Sequence, residues 1–325
     1  MTVHLISVGI SLADFFSTAT DEERWGGYIT EAQKIEEFWD KDRLGLAPAA
    51  STRTEADLLH AAFALDAGVD LPRFNALSFL QTLADEVRPE TWTTRRGLSA
   101  ELDTILAHGL RRIVDTDLTV LLCSDTPKGR ACGIWTAISL AGGDVGRVLY
   151  LDGIDVDTHL ERPENGRIVV VNIPGLDATK DSEFHTSMKA VGHLGRLLIG
   201  HDDRPALIGA KEPVWFHLTG GYRATIPYLI AAAEWLRSLG HDAQAHVLPE
   251  KAEGTVPIPL RRLRPDWVHS ELAGFDSRGL SDSRPEDGLL EGYAYELRGD
   301  GSALTSFGMG MRVFFNIAAG PESPL

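Results

Sequence analysis

The 325-residue sequence lacks any apolar stretch as long as the roughly 18 residues that a membrane-spanning helix needs. Its first residues, MTVHLISVGI, carry neither the basic leader nor the small-residue cleavage site of a signal peptide, and we interpret them as a first strand. Only two cysteines are present, Cys123 and Cys132; they are too few for a disulfide framework and lack metal-ligand spacing. These absences predict a protein of the reducing cytoplasm, with no membrane partner.

The sequence is also poor in positive charge. Lys and Arg number 31 against 47 Asp and Glu, which gives a formal net charge of −16. Proteins that coat nucleic acid non-specifically depend on a basic surface, so this class is excluded. A small anionic ligand is still compatible with the composition, because helix N-termini and one or two arginines can create a locally positive pocket.

Two common catalytic motifs are missing as well. No histidines have HExxH spacing and there is no Cys/His cluster, so we expect neither a metal nor a cofactor. The predicted first strand is followed by GISLAD instead of the GxGxxG of dinucleotide-binding proteins, and no acidic residue ends a second strand nearby. A dinucleotide-dependent oxidoreductase is therefore disfavoured.

What the sequence does contain is an alternation of apolar strands and helices. The run VHLISVG predicts a buried first strand, and TDLTVLLCSDT, GRIVVVNIPGLD and PVWFHLTGG predict later ones. Helical patterns lie between them. This order predicts an α/β fold, a Rossmann-like, doubly wound and mostly parallel sheet over residues 1–263. We further predict a helical insertion after the first strand, at about residues 12–97, and a small C-terminal extension at residues 264–325.

Small and polar residues follow three of the predicted strands. In an open α/β sheet, ligands bind at the carboxyl ends of the strands, where free backbone N–H groups at helix starts suit a phosphate. Arg223 adds a planar cation that matches a phosphate. The three groups are Gly9, Ile10 and Ser11; Ser124, Asp125 and Thr126; and Thr219, Gly220, Gly221, Tyr222 and Arg223.

Each group also has a purely structural explanation. Glycines at strand–helix turns often serve only the backbone conformation, and Ser124-Asp125-Thr126 could cap the next helix. Arg223 could be a solvated first-turn residue, although a cation is unfavourable at the positive end of a helix without a bound anion. His217, in the strand before the double glycine, is expected to be a core histidine.

Four motifs in order, LISVGIS, LSAELDTI, LLCSDTPKGRACG and LTGGYRATIPYL, resemble those of the CARF-domain proteins of type III CRISPR systems, in particular the standalone ring nucleases. The resemblance covers roughly residues 1–263. It implies a Rossmann-like domain that forms a homodimer about a two-fold axis. It also implies that a cyclic oligoadenylate, most often the tetra-adenylate, binds across the dimer interface, where each subunit meets an identical half of the ring.

The resemblance also implies roles for single residues. Ser11 matches the phosphate-contacting serine of the family, and Arg223 matches a basic residue that is often lysine there, so these two are the implied catalytic residues. The implied reaction needs no metal, since a ribose 2′-OH attacks its adjacent phosphate and leaves a 2′,3′-cyclic phosphate. The implied ligand-binding residues are Gly9, Ile10, Ser124, Asp125, Thr126, Thr219, Gly220, Gly221 and Tyr222.

Two alternatives remain open at this point. The protein could sense the ring and activate an RNase, because RPDWVH at Arg264 to His269 fits the Arg-x₄₋₆-His spacing of the family's effector halves. Against this, proline follows the arginine directly and the few residues after His269 are glycine-rich. The protein could instead bind the ring as a sponge or regulator without cleaving it.

Overall fold

The computed structural model describes residues 1–12, 14, 51–52, 99–107, 116–142, 144–162, 166–176, 181–201, 204–221, 223–250 and 252–322. The predicted insertion at residues 12–97 lies outside this part of the chain, apart from Leu12, Asp14 and a two-residue strand at Ser51–Thr52.

A mostly parallel sheet forms the centre of the fold. Its strands are β1 Val3–Ser7, β2 Ser51–Thr52, β3 Leu118–Ser124, β4 Val148–Leu151, β5 Arg167–Ile173, β6 Val214–His217, β7 Ala243–Val247 and β8 Val256–Ile258. Their order is β2-β4-β5-β3-β1-β6-β7-β8, with only β2 and β8, at the edges, running antiparallel to their neighbours. This arrangement confirms the predicted α/β, Rossmann-like fold.

Helices cover both faces of the sheet, which is why its strands are continuously apolar. The helices are α1 Ala100–Ala107, α2 Pro127–Leu140, α3 Asp181–Ile199, α4 Ile226–Ser238, α5 Pro265–Leu272 and α6 Ser306–Phe314. On one face, Gly133 of α2 comes close to Cys123 and Val170. Residues that point to the opposite face, such as Val120 and Val169, belong to the large hydrophobic core that includes the buried side chains of α3, α4 and α6.

The strand order places a switch point beside β1. From β1 the chain moves to β3, β4 and β5 on one side, and it then returns to the other side of β1 to form β6 and β7. The strands that follow β1 and those that follow β6 therefore lie on opposite sides of β1. Ligands of open α/β sheets bind in the crevice that such a divergence creates.

The C-terminal residues pack onto the sheet domain. A second sheet, in the order β10-β11-β9, consists of β9 Leu280–Ser281, β10 Tyr295–Arg298 and β11 Gly301–Leu304. Helix α6 follows it and lies against α3, where the buried Met311 and Phe314 join the same hydrophobic core as the main sheet. The residues after 263 thus share their core with the sheet domain.

The contact between α3 and α6 depends on glycines at the crossing. A Cβ atom on Gly310 would lie 2.6 Å from the carbonyl oxygen of Met188, whereas a Cβ on Gly254 would meet nothing within 4 Å. We expect Gly310→Ala to lower the free energy of unfolding by about 1–3 kcal/mol, because the two helices must move apart. Urea denaturation measures this, with Gly254→Ala as the control that stays near wild type. Equal stability of the two variants would contradict so close a crossing.

Candidate functional site

The loops that follow β1 and β6 meet at the carboxyl edge of the sheet, at the switch point. A Cβ atom on Gly9 would lie 3.1 Å from both the amide nitrogen and the Cα of Gly221, so the two loops approach each other backbone to backbone. Gly221 has a φ of +89°, and a Cβ there would overlap the side chain of Ser7. We call residues 9–11 and 219–223 the loop junction; Tyr222 lies outside the described residues.

The carboxyl group of Glu101, in the first turn of α1, fills the loop junction. Its Oε1 accepts hydrogen bonds from the backbone N–H of Gly9 (2.7 Å) and of Gly221 (3.2 Å). Its Oε2 accepts a hydrogen bond from the hydroxyl of Ser11 at 2.7 Å. Only 1% of Glu101 is exposed, and a Cβ on Gly220 would overlap its carboxyl group. The small residues of the junction therefore make room for this side chain.

This geometry corrects one expectation from the sequence. The N–H groups of Gly9 and Gly221 were expected to be free for a phosphate, but both donate to Glu101. The junction does have the donors of an anion site, and an anion of the protein itself occupies it. Sequence reasoning missed Glu101 because an acidic residue in the first turn of a helix is ordinarily explained by the helix dipole.

The group after β3 is organised mainly around the start of α2. Thr126 is the N-cap residue, and its hydroxyl accepts a hydrogen bond from the N–H of Gly129 at 3.1 Å. The hydroxyls of Ser124 and Thr126 lie 2.9 Å apart, and Asp125 is exposed. The capping explanation thus accounts for Thr126, while the side chain of Asp125 points to solvent.

Arg223 lies at the outer end of the loop junction. It begins a 3₁₀ turn, Arg223–Thr225, that leads directly into α4. Its side chain is exposed, and it forms no ion pair or hydrogen bond with the residues that the structure describes. Ile10, on the other loop, is 43% exposed. Thr219 has a structural contact, since its hydroxyl accepts the N–H of Leu248 at 2.6 Å.

A second polar cluster, which the sequence analysis did not identify, lies at the carboxyl ends of β4 and β5. Asp152 accepts hydrogen bonds from the side-chain amide of Asn172 (2.7 Å) and from the hydroxyl of Tyr150 (3.2 Å). Burial raises the pKa of Tyr150. The buried Cys123 lies beside Asn172 in the neighbouring strand, and burial raises the pKa of its thiol to about 12, so this cysteine stays neutral.

Buried histidines lie beneath the loop junction. His217, the last residue of β6, is 1% exposed, and its Nε2 lies 3.2 Å from the Nδ1 of His4. The Nε2 of His4 lies in turn 3.5 Å from a carboxylate oxygen of Asp117. Burial would raise the pKa of Asp117, but hydrogen bonds from His4 and from the N–H of Thr2 lower it overall. His217 is therefore buried in the core, as predicted.

The residues of the RNase alternative lie on one short helix, α5. Arg264 is the N-cap of α5, and its guanidinium carbon lies 4.7 Å from the centre of the exposed Trp267 ring. His269 is exposed in the last turn of the same short helix. The two positions therefore lie at opposite ends of α5.

The described residues therefore define an α/β protein with a polar loop junction at the switch point of its sheet. Within them, no three His, Cys, Asp or Glu side chains come together as a metal site requires. The described helices are also all too short or too polar to cross a membrane. No protein-family model matches the chain, and no curated protein matches it.

Proposed function

We propose that this protein binds a cyclic oligoadenylate as a homodimer and cleaves the ring without a metal, so that it ends type III CRISPR signalling. The observation that carries this proposal is the loop junction at the switch point, with Ser11 on one loop and the exposed Arg223 on the other.

Ser11 and Arg223 lie on the two loops that meet at the junction, and we propose that one phosphodiester contacts both. Each lies two residues beyond its glycine, Gly9 or Gly221, and two residues span at most about 7 Å. The two glycines themselves are in backbone contact. A phosphate on the outer side of the junction would meet the guanidinium of Arg223 and the partly exposed hydroxyl of Ser11. Glu101 stays behind them, in the interior.

The ring symmetry suits a two-fold dimer. A protein of net charge −16 repels a polyanion over most of its surface, so binding requires a local concentration of positive charge. Two copies of the junction facing one ring would supply two arginines and two sets of loop dipoles. Ile10, exposed beside Ser11, offers an apolar surface for an adenine base.

Cleavage then requires little beyond positioning and charge stabilisation. The 2′-oxygen of one ribose attacks the adjacent phosphorus in line, the bond from phosphorus to the 5′-oxygen breaks, and a 2′,3′-cyclic phosphate forms. Arg223 stabilises the negative charge that develops on the phosphoryl oxygens. Ser11 positions the attacking hydroxyl.

A second candidate is a sensor or sponge that binds the ring and leaves it intact. One contact favours it: the hydroxyl hydrogen of Ser11 is directed at Glu101, away from the outer side of the junction. A ligand on the outer side of the junction would meet an oxygen lone pair of Ser11, and Ser11 would offer it no hydrogen-bond donor. If that arrangement persists in the complex, Ser11 contributes shape and not phosphate binding.

We expect Arg223→Ala to weaken ring binding and to slow cleavage by at least tenfold, because a charge-assisted contact to a phosphate contributes about 1.5–3 kcal/mol. Purified protein is incubated with cyclic tetra- or hexa-adenylate in the presence of a metal chelator, and the products are resolved by chromatography. Arg237→Ala is the matched control, since Arg237 is an exposed arginine at the far end of α4, the helix that follows the turn of Arg223.

The outcomes separate the candidates. Linear products with 2′,3′-cyclic phosphate ends, lost in Arg223→Ala and kept in Arg237→Ala, support the ring nuclease. Tight binding with the ring intact supports the sensor or sponge. If the wild type binds neither ring, the ring nuclease and the sensor or sponge are both overturned. Degradation of unrelated RNA only after ring addition would favour the effector alternative.

A further inference from the structure

Ser11 and Glu101 form a hydroxyl–carboxylate pair in which the serine is partly exposed and the glutamate is buried. The Oγ of Ser11 donates to Oε2 of Glu101 at 2.7 Å and accepts the N–H of Ala100 at 3.3 Å. A serine hydroxyl has one hydrogen and two lone pairs, so one lone pair of Ser11 remains. Ser11 is partly exposed, whereas Glu101 is 1% exposed.

The carboxylate is fixed more firmly than a contact to Ser11 alone would require. Its other oxygen is shared by the N–H groups of Gly9 and Gly221, which come from two different loops. These donors hold the carboxyl plane so that Oε2 faces Ser11. A base that is oriented by a third group and bonded to a hydroxyl has the arrangement that activates hydroxyl groups in enzymes.

We propose that Glu101 is the positioning residue of the reaction and takes up its proton through Ser11. This inference rests on the proposed ring cleavage. As the ribose 2′-oxygen attacks phosphorus, its proton passes to Oγ of Ser11, and the proton of Ser11 passes to Oε2 of Glu101. The bond between 2′-oxygen and phosphorus forms while the bond to the 5′-oxygen breaks. The 5′-oxygen takes a proton from water, and Glu101 returns its proton to solvent through Ser11, so the protein ends unchanged.

The geometry also explains why Glu101 cannot act on the ring directly. Gly9, Gly220, Gly221 and Ser11 surround its carboxyl group, and a side chain at either Gly220 or Gly221 would not fit. We infer that a proton from a ligand reaches Glu101 by way of the oxygen of Ser11. The serine is thus the catalytic contact, and the glutamate acts behind it.

Glu101→Gln tests this inference in single-turnover cleavage of the ring. The glutamine oxygen can still accept the N–H groups of Gly9 and Gly221, and its amide can donate to Ser11, but it cannot take up a proton. We expect the rate constant at saturating protein to fall by roughly 10²–10⁴-fold, the usual contribution of general base catalysis. The dissociation constant of the ring should stay close to that of wild type.

A double-mutant cycle separates the relay from a structural role. Ser11→Ala should slow cleavage by a factor similar to that of Glu101→Gln, and the double variant should be no slower than either single one, because both interrupt the same relay. Ser11→Thr, which keeps the hydroxyl, should retain most of the rate. If Glu101→Gln fails to fold, the comparison of Ser11→Ala with Ser11→Thr still decides.

The possible failures are distinguishable. Cleavage by the wild type together with full cleavage by Glu101→Gln or by Ser11→Ala overturns the relay and leaves the ring nuclease intact. Fully additive losses in the double variant also overturn it. A wild type that binds the ring and never cleaves it overturns the proposed cleavage, and the relay with it.

Discussion

Gly221→Ala is expected to lower the free energy of unfolding by about 3–5 kcal/mol, through backbone strain and overlap together. The φ of +89° at Gly221 is unfavourable for a residue with a Cβ, and that Cβ would overlap the side chain of Ser7 in the strand below. Relief would require the β6 loop to move off β1, which would lengthen the hydrogen bond from Gly221 N–H to Glu101. Chemical denaturation measures the loss.

Gly142→Ala separates the two causes. Gly142 also has a positive φ, +65°, but a Cβ there would meet nothing within 4 Å. We expect this variant to lower the free energy of unfolding by only about 1–2 kcal/mol, the cost of the left-handed conformation. Adding Ser7→Gly to Gly221→Ala should recover part of the difference. If Gly221→Ala and Gly142→Ala lower the free energy of unfolding by the same amount, the loops after β1 and β6 do not meet as closely as described.

The sequence was sufficient to predict the fold because the central strands of the sheet each have their own local signal. Runs such as LTVLLCS and RIVVVNI are buried on both faces, and uninterrupted apolar runs of that length are typical of parallel strands. Pro127 and Pro227 stand in the first turns of α2 and α4, where proline is tolerated. The hydrophobic pattern therefore fixes the order of elements.

The chemistry of the site was less predictable, because it depends on contacts between distant residues. The residues of the loop junction were identified from their own loops, but their partner, Glu101, is 92 residues from Gly9 and 120 from Gly221. No periodicity links positions so far apart. The glycines were interpreted as a cradle for an external anion, and only the three-dimensional arrangement reveals that their donors meet a carboxylate first.

The internal carboxylate also changes how ligand binding should be understood. A phosphate cannot enter the cradle of Gly9 and Gly221 without displacing Glu101, since the three donors are already engaged. Binding at the outer side, through Arg223, avoids that cost. The arginine is therefore expected to carry more of the affinity than the glycines.

Glu101→Ala is expected to destabilise the protein by about 3–5 kcal/mol, because it leaves the partly buried N–H groups of Gly9 and Gly221 and the hydroxyl of Ser11 without their acceptor. An anion that enters the vacated space should restore part of this loss. Formate or inorganic phosphate should raise the melting temperature of Glu101→Ala in a concentration-dependent manner, as a ligand of the native state does. Chloride at equal ionic strength is the control for salt.

Glu101→Gln provides the matched comparison for this rescue. Its amide fills the space and keeps an acceptor for the two N–H groups, so it should lose less stability and gain nothing from formate. If wild type, Glu101→Gln and Glu101→Ala all respond alike to formate and phosphate, the loop junction is not an anion cradle. A response confined to Glu101→Ala would establish that the donors select an anion and that the protein supplies its own. Any ring phosphate bound to the wild type would then have to be held outside that cradle, on the side of Arg223.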